Sequence, residues 1–146
     1  MKKFFIIGSD HAGFDLKEKI KKYFLQQKLE FEDIGPYKYE KNDDYNDYAK
    51  KVVTKIKKNK NNKGILICGT GQGMSVQANR YKGIRAVLCW NKATAQHAKK
   101  HLNANIITLP GKSLIYNQAK ELIKVWIDCK QIKKKKYIRR IEKLDW

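Results

Sequence analysis

GILICGTGQGMSVQAN, residues 64–79, is the stretch whose reading decides the fold. Its apolar run over 64–68 has the pattern of a strand buried on both faces. Gly69, Gly71 and Gly73 then occupy alternate positions, and residues 74–79 suit the start of a helix. Glycines let the backbone take positive φ and turn successive N–H groups into one concavity. At a helix N-terminus such a concavity favours an anion. Cys68 is the titratable group where strand gives way to loop, so a base stands beside an anion hole, which points to an enzyme. The glycine spacing matches neither the dinucleotide fingerprint GxGxxG nor a P-loop ending in Gly-Lys-Ser/Thr. Taken alone it equally suits a tight turn over a buried cysteine.

The flanking chain narrows the choice. Residues 3–8 form a short apolar run that reads as a strand, followed by Ser9-Asp10-His11-Ala12-Gly13 and a helical pattern with Phe14, Leu16, Ile20, Tyr23 and Phe24 inward. Residues 29–34 alternate apolar and acidic, a second strand stopped by Gly35-Pro36. The polar, tyrosine-rich segment 37–46 reads as a loop. Asp47 is placed to cap a helix running to about Lys58, with Ala49, Val52, Val53 and Ile56 on one face. Beyond the central strand and its helix, which extends to about Tyr81, come a strand over 83–89, a helix over 92–101 and a strand over 105–109. An amphipathic helix over 114–129 and a basic helix with Ile138, Ile141 and Leu144 on one face complete the chain.

Five strands alternating with helices predict one three-layer α/β domain over residues 1–146, Rossmann-like, with a five-stranded parallel sheet and a C-terminal basic helix. Ligands of such sheets lie outside the carboxyl ends of the strands. Asp10, His11, Cys68, Thr70, Asn91 and Lys112 all fall there or just beyond.

The formal charge of +19 raises the question of nucleic acid. Two lysine-rich segments, 50–63 and 130–146, carry most of it, and 29 of the 33 basic residues are Lys. Base reading favours Arg forks, and single-strand binding favours aromatics interleaved with charge. Neither pattern is present, so the lysines read as solvated surface with weak polyanion attraction, and no specific nucleic-acid partner is expected. No apolar run reaches 18 residues, so no membrane span is expected. The opening MKKFFIIGSDHAGF lacks the apolar length of a signal peptide. Three cysteines without framework spacing suit reduced thiols in a cytoplasm.

GSDHAGFDLK, the run Asp44-Tyr45-Asn46-Asp47-Tyr48-Ala49, GILICGTGQGMSVQAN, KGIRAVLC and the helix ending in His101 together resemble the type B ribose-5-phosphate isomerases, a group that includes galactose- and allose-6-phosphate isomerases. The resemblance spans nearly the whole chain. It implies interconversion of an aldose phosphate and its ketose without metal or organic cofactor. It also implies a homodimer, or a dimer of dimers, whose C-terminal basic residues complete the partner's site. Residue by residue, Cys68 matches the base that moves a proton between C1 and C2, and His101 matches the acid of ring opening. Asp10 and His11 match substrate contacts, His11 toward the phosphate, with Tyr45 beside them. Gly69, Thr70, Gly71, Gln72 and Gly73 match the loop that holds the enediolate oxygens. Arg140 matches a phosphate arginine reaching across the dimer. The chain departs from the family at Leu102, where Asn is usual, and at Lys112 and Lys136, where Arg is expected. Lysine keeps the charge but loses the bidentate fork.

Beside interconversion of ribose 5-phosphate and ribulose 5-phosphate two alternatives stand: a hexose-6-phosphate isomerase acting on allose or galactose 6-phosphate, and an inactive relative that binds phosphate or polyanions on the same fold. His97 and His101, spaced i, i+4, lack the Glu of a zinc-protease helix and stand beside lysines, so no metal site is expected there. Cys89 and Cys129 read as core filler.

Overall fold

The computed structural model describes residues 3–145. Its strands are β1 (Phe4–Ser9), β2 (Phe31–Asp33), β3 (Asn62–Cys68), β4 (Ala86–Leu88) and β5 (Ile106–Pro110). Its α-helices are α1 (Phe14–Gln26), α2 (Tyr45–Lys58), α3 (Gln72–Ala78), α4 (Lys92–Lys100), α5 (Tyr116–Asp128) and α6 (Lys135–Glu142). All strands are parallel, in the order β2-β1-β3-β5-β4. The chain leaves β1 toward one edge and returns on its other side as β3, so the loops after these two strands diverge and leave a crevice between them.

The three central strands read as continuous apolar runs because helices cover both sheet faces. Phe5, Ile7, Ile65, Ile67, Ile107 and Leu109 pack against α1, α4 and α5, with Trp126 and Phe24 buried among them. Ile6, Leu66, Cys68 and Ile106 face α2 and α3. Each fully buried aliphatic side chain contributes about 1.5–3 kcal/mol of transfer free energy, so the core has two halves separated by the sheet.

Several boundaries differ from the sequence reading, among them strand β2, which keeps only Phe31–Asp33 of the 29–34 run. Helix α2 begins at Tyr45 with Asp44 at its N-cap, and Asp47 lies inside the first turn, where its charge still complements the helix N-terminus. Helix α3 stops at Ala78, because the Asn79 side chain turns to bond both backbone groups of Ala86. Strand β4 is only three residues long: it is an edge strand, and the Arg85 side chain is engaged with loop carbonyls. Cys89 is buried as expected, whereas Cys129 is only half-buried at the end of α5. Among the described residues no helix is long and apolar enough to cross a membrane.

A buried ion cluster sets the path into the crevice. Lys17 is fully buried, and its Nζ donates to Asp33 Oδ2 at 2.7 Å. Lys21 donates to the same oxygen at 2.7 Å, and the Gly35 N–H donates to Asp33 Oδ1 at 2.8 Å. Periodicity did not reveal Lys17 as a core residue, because its burial depends on an acid at the end of β2. Burial opposes the Asp33 charge, but Lys17, Lys21 and the Gly35 amide outweigh it and hold the carboxyl below its ordinary value. Asp33→Ala strands a buried ammonium, and urea unfolding at pH 7 should show a loss of about 3–5 kcal/mol. A depressed carboxyl stabilises above its unfolded value, near 4, and the contribution disappears as pH falls through the folded value. Asp33→Asn should therefore flatten the decline in wild-type stability below about pH 4.

Candidate active site

The site is built on the end of β3. The Asp10 N–H donates to the Ile67 carbonyl at 3.1 Å on one side, and the Gly111 N–H donates to the Cys68 carbonyl at 2.8 Å on the other. The Lys112 N–H continues this second ladder to the Gly69 carbonyl at 3.0 Å. Loops after β1, β3 and β5 are thereby fixed side by side, and Asp10, Cys68 and Lys112 share the carboxyl end of the sheet. Asn91, at the end of β4, instead accepts from the Thr94 N–H in a capping box for α4.

Cys68 is 4% exposed, and its Sγ accepts from the Gly71 N–H at 3.1 Å. Gly71 has φ of 74°, and a β-carbon there would meet Leu88 Cδ1 at 2.5 Å. Only glycine satisfies both demands. The sequence reading placed all loop N–H groups in an anion hole. The structure gives the Gly71 N–H to sulfur and the Gln72 N–H to Thr70 Oγ1 at 3.3 Å. Among the described residues the N–H groups of Gly73 and Met74 have no acceptor, and of the two only Gly73 is partly exposed, Met74 being fully buried. Thr70 and Gln72 are exposed at the rim, and the Tyr45 ring lies against Gly73, where a β-carbon would come within 2.7 Å of Cζ.

Asp10 is buried and caps the turn after β1, its Oδ1 accepting from the Gly13 N–H at 3.1 Å. Burial pushes its carboxyl above the ordinary value against the Gly13 N–H and His11, and nearby Asp43 adds to the rise. Asp43 is the residue that sequence reasoning missed. Its Oδ1 accepts from both the His11 N–H at 3.1 Å and His11 Nδ1 at 2.7 Å, and its side chain is only 9% exposed. Burial, then Asp43, raises the neighbouring Tyr48 hydroxyl to about 12. Asp43 sits in the Asn42-Asp43-Asp44 tract of an aperiodic loop, where nothing local marks it as turned inward. Donor atoms of Asp10, His11 and Asp43 lie within 4.8 Å of one another, close enough for a cation. The imidazole Nδ1 is already taken by Asp43, so the arrangement is a hydrogen-bonded His11–Asp43 pair beside Asp10, which bonds the Gly13 N–H instead.

His101, Lys136 and Arg140 stand elsewhere. Helix α4 starts beyond the carboxyl end of β4 and runs back along the sheet. His101 ends it, beside Leu102 and Asn103, whose carbonyls accept from Arg85 just ahead of β4. His101 therefore lies at the amino end of the sheet, while Cys68 closes the seven-residue β3 at the opposite end, a strand length of about 20 Å. The His101 ring stacks on Tyr137 of α6, 4.4 Å between centroids and 14° from parallel, and its Nδ1 is 3.1 Å from that of His97. Desolvation, then His97, Lys136, Lys100 and Arg140, lowers its pKa from the ordinary value. Leu102 is partly exposed beside it and Lys112 is exposed at the other end. One chain thus brings together Asp10, His11, Tyr45, Cys68, the glycine loop and Lys112, and separately His101, Lys136 and Arg140.

A family model described as Ribose/Galactose Isomerase matches residues 5–144. This chain belongs to that family. Ribose 5-phosphate isomerase from Thermotoga maritima has the same fold, with a TM-score of 0.95 and 46% identity over 99% of both chains. Ribose-5-phosphate isomerase B from Mycoplasma genitalium, solved with bound ribulose-5-phosphate, is similar with a TM-score of 0.93 and 34% identity over 99% of this chain and 95% of that one. The D-erythrulose-4-phosphate isomerase of Pectobacterium atrosepticum is 40% identical over 84% of this chain and 81% of its own length.

Asp43 bonds both the imidazole and the backbone N–H of His11 and so holds that side chain in one direction. Asp43→Asn should leave kcat within about twofold and raise KM about tenfold, the loss of one charge-assisted contact, with Asp43→Glu recovering part of it. Steady-state kinetics on a sugar phosphate check this, and an equal fall in kcat would assign Asp43 another role.

Proposed function

We propose that this chain interconverts ribose 5-phosphate and ribulose 5-phosphate through an enediolate. The wider assignment, a sugar-phosphate isomerase, follows from the family. What carries the finer one is the position of Cys68, a thiol at the floor of the crevice with an amide N–H directed at its sulfur. In this reading the Cys68 thiolate takes the proton from C2 of the open-chain aldose and returns it to C1, while the C1 oxygen gains a proton and the C2 hydroxyl gives one up to become the ketone. Negative charge builds on the substrate oxygens during transfer. The unpaired N–H of the partly exposed Gly73, with Thr70 and Gln72 at the rim, is placed to meet it without reorganisation. Positioning the base contributes roughly 10²–10⁴-fold and charge stabilisation a comparable factor. His11, fixed by Asp43, and Lys112 serve the phosphate, and Asp10 and Tyr45 serve the sugar hydroxyls.

Ring opening needs an acid–base group, and His101 is too far from Cys68 in its own chain. A second copy supplies it. Two-chain assembly is supported by the exposed apolar residues Val76 on α3, Trp90 after β4, and Leu102, Ile138 and Leu144 around the C-terminal helix. His101, Lys136 and Arg140 share one region of each chain, so they enter the partner's crevice together, His101 at the ring oxygen and the cations at the phosphate. The erythrulose-phosphate relative favours a site that accepts other chain lengths, and assays with allose and galactose 6-phosphates set its preference.

Cys68→Ser should fold normally and lose nearly all turnover of ribose 5-phosphate, because an unpartnered hydroxyl is too weak a base near neutral pH. Retention of most kcat would remove Cys68 from the role. Arg140→Ala should raise KM roughly 10–150-fold, the loss of about 1.5–3 kcal/mol of phosphate binding. Mixed Cys68→Ser and Arg140→Ala subunits should regain activity, since one hybrid site then carries neither defect. Verified heterodimers as inactive as their parents would exclude the shared site.

A further inference from the structure

A cavity of about 480 Å³ opens at the amino end of the sheet, away from Cys68. It is lined by Lys57 from the end of α2, Lys60 from the following turn, Lys63 from β3, and Lys82 and Arg85 from the loop before β4. Ile56 and Ile84 supply apolar wall, and Asn103 and Asn105 supply amides. No acid lines it. Other cavities of the chain mix their cations with Glu121 and Asp128, with Glu40, or with Asp145, as a lysine-rich surface generally does.

Two of its cations are held in place without a carboxylate on them. Arg85 donates from Nε and Nη2 to the Leu102 and Asn103 carbonyls at 2.9 and 3.0 Å, and from Nη1 to the Gly83 carbonyl at 3.4 Å. Neutral carbonyls fix its direction, and the nearest carboxylate, Asp145, acts on it from a distance without a direct bond. Lys63 is half-buried and donates only to the Lys60 carbonyl at 3.3 Å. Burial, then Arg85 and Lys3, lowers its pKa from the ordinary value. Among the described residues Lys57, Lys60 and Lys82 have no acidic partner.

We propose that this cavity is a second anion site, which takes a compact oligophosphate at the opposite end of the sheet from the isomerase crevice. Five cations from separate segments converge on a space the size of one small molecule, which suits an anion of three or more charges. Arg85 and the Asn103 amide match phosphoryl oxygens as forked and single donors. Among the described residues the lining has no aromatic on which a base stacks, which favours the oligophosphate over a nucleic acid strand.

Titration calorimetry with tripolyphosphate tests the site. It is done at constant, physiological ionic strength on full-length Cys68→Ser protein saturated with ribose 5-phosphate, so that the crevice is occupied. One saturable site per chain is expected, with Kd below about 1 mM. Lys57→Gln/Lys82→Gln should weaken it about tenfold or more, and Lys133→Gln/Lys134→Gln should not change it. In the otherwise wild-type enzyme the first pair should leave kcat and KM unaltered, which separates this site from the crevice. Lys60→Gln alone, expected to weaken binding severalfold, serves if the double variant is poorly folded by circular dichroism. Equal weakening by both pairs, absence of saturation, or equal competition by a single-stranded oligonucleotide would reduce the cavity to general lysine attraction and overturn the proposal.

Discussion

The backbone hydrogen bond from Asp10 to the Ile67 carbonyl is the contact on which the crevice depends. It carries the β1–β3 ladder one step past the strands, so the turn after β1 cannot swing away from the end of β3. The bonds from Gly111 and Lys112 do the same on the β5 side. Cys68 is consequently clamped from both flanks by main chain, which is stiffer than any side-chain contact. Gly13 belongs to the same constraint, because a β-carbon there would run into the Ile67 backbone. Cys68 is the last residue of β3, and the loop that follows it is tied to the sheet by these main-chain bonds.

The parallel sheet also separates two kinds of equipment by a strand's length. Main-chain donors, the thiol and the His11–Asp43 pair gather at the carboxyl end, where strand ends and loops converge. The basic C-terminal segment docks at the amino end, where Asp145 accepts from the Gly83 N–H and the Ile132 N–H bonds the Lys100 carbonyl. This arrangement brings Tyr137 under His101. A chain folded this way holds His101 and Cys68 in a geometry that only a second copy reconciles on the reading proposed above.

A chain with formal charge +19 has few acids to spend, and the buried ones stand at structural junctions. Asp33 joins α1 to the end of β2 through two lysines and directs the turn at Gly35 toward the crevice. Asp43 ends that excursion on His11. The remaining positive charge is distributed mostly on exposed faces. At the amino end it is concentrated, because Lys57, Lys60 and Lys63 meet Lys82 and Arg85 across the ends of β3 and β4, with Asp145 at the edge on the Gly83 N–H.

The sequence by itself determined the elements, their buried faces, the parallel α/β class and the crevice-lining loops after β1 and β3. These follow from local periodicity, glycine placement and the rule for strand ends, all carried by neighbouring residues. The tertiary structure alone decided what depends on chain crossings. Strand β5 lies between β3 and β4, so β4 becomes a short edge where a seven-residue strand was expected. Lys17 is fully buried because Asp33 arrives from another element, and Asp43 enters the site because its loop folds back over His11. The length of α4 carries His101 to the far end of the sheet, which spacing along the sequence could not express. Periodicity reports which side of an element is covered, whereas the identity of the covering group is a property of the whole fold.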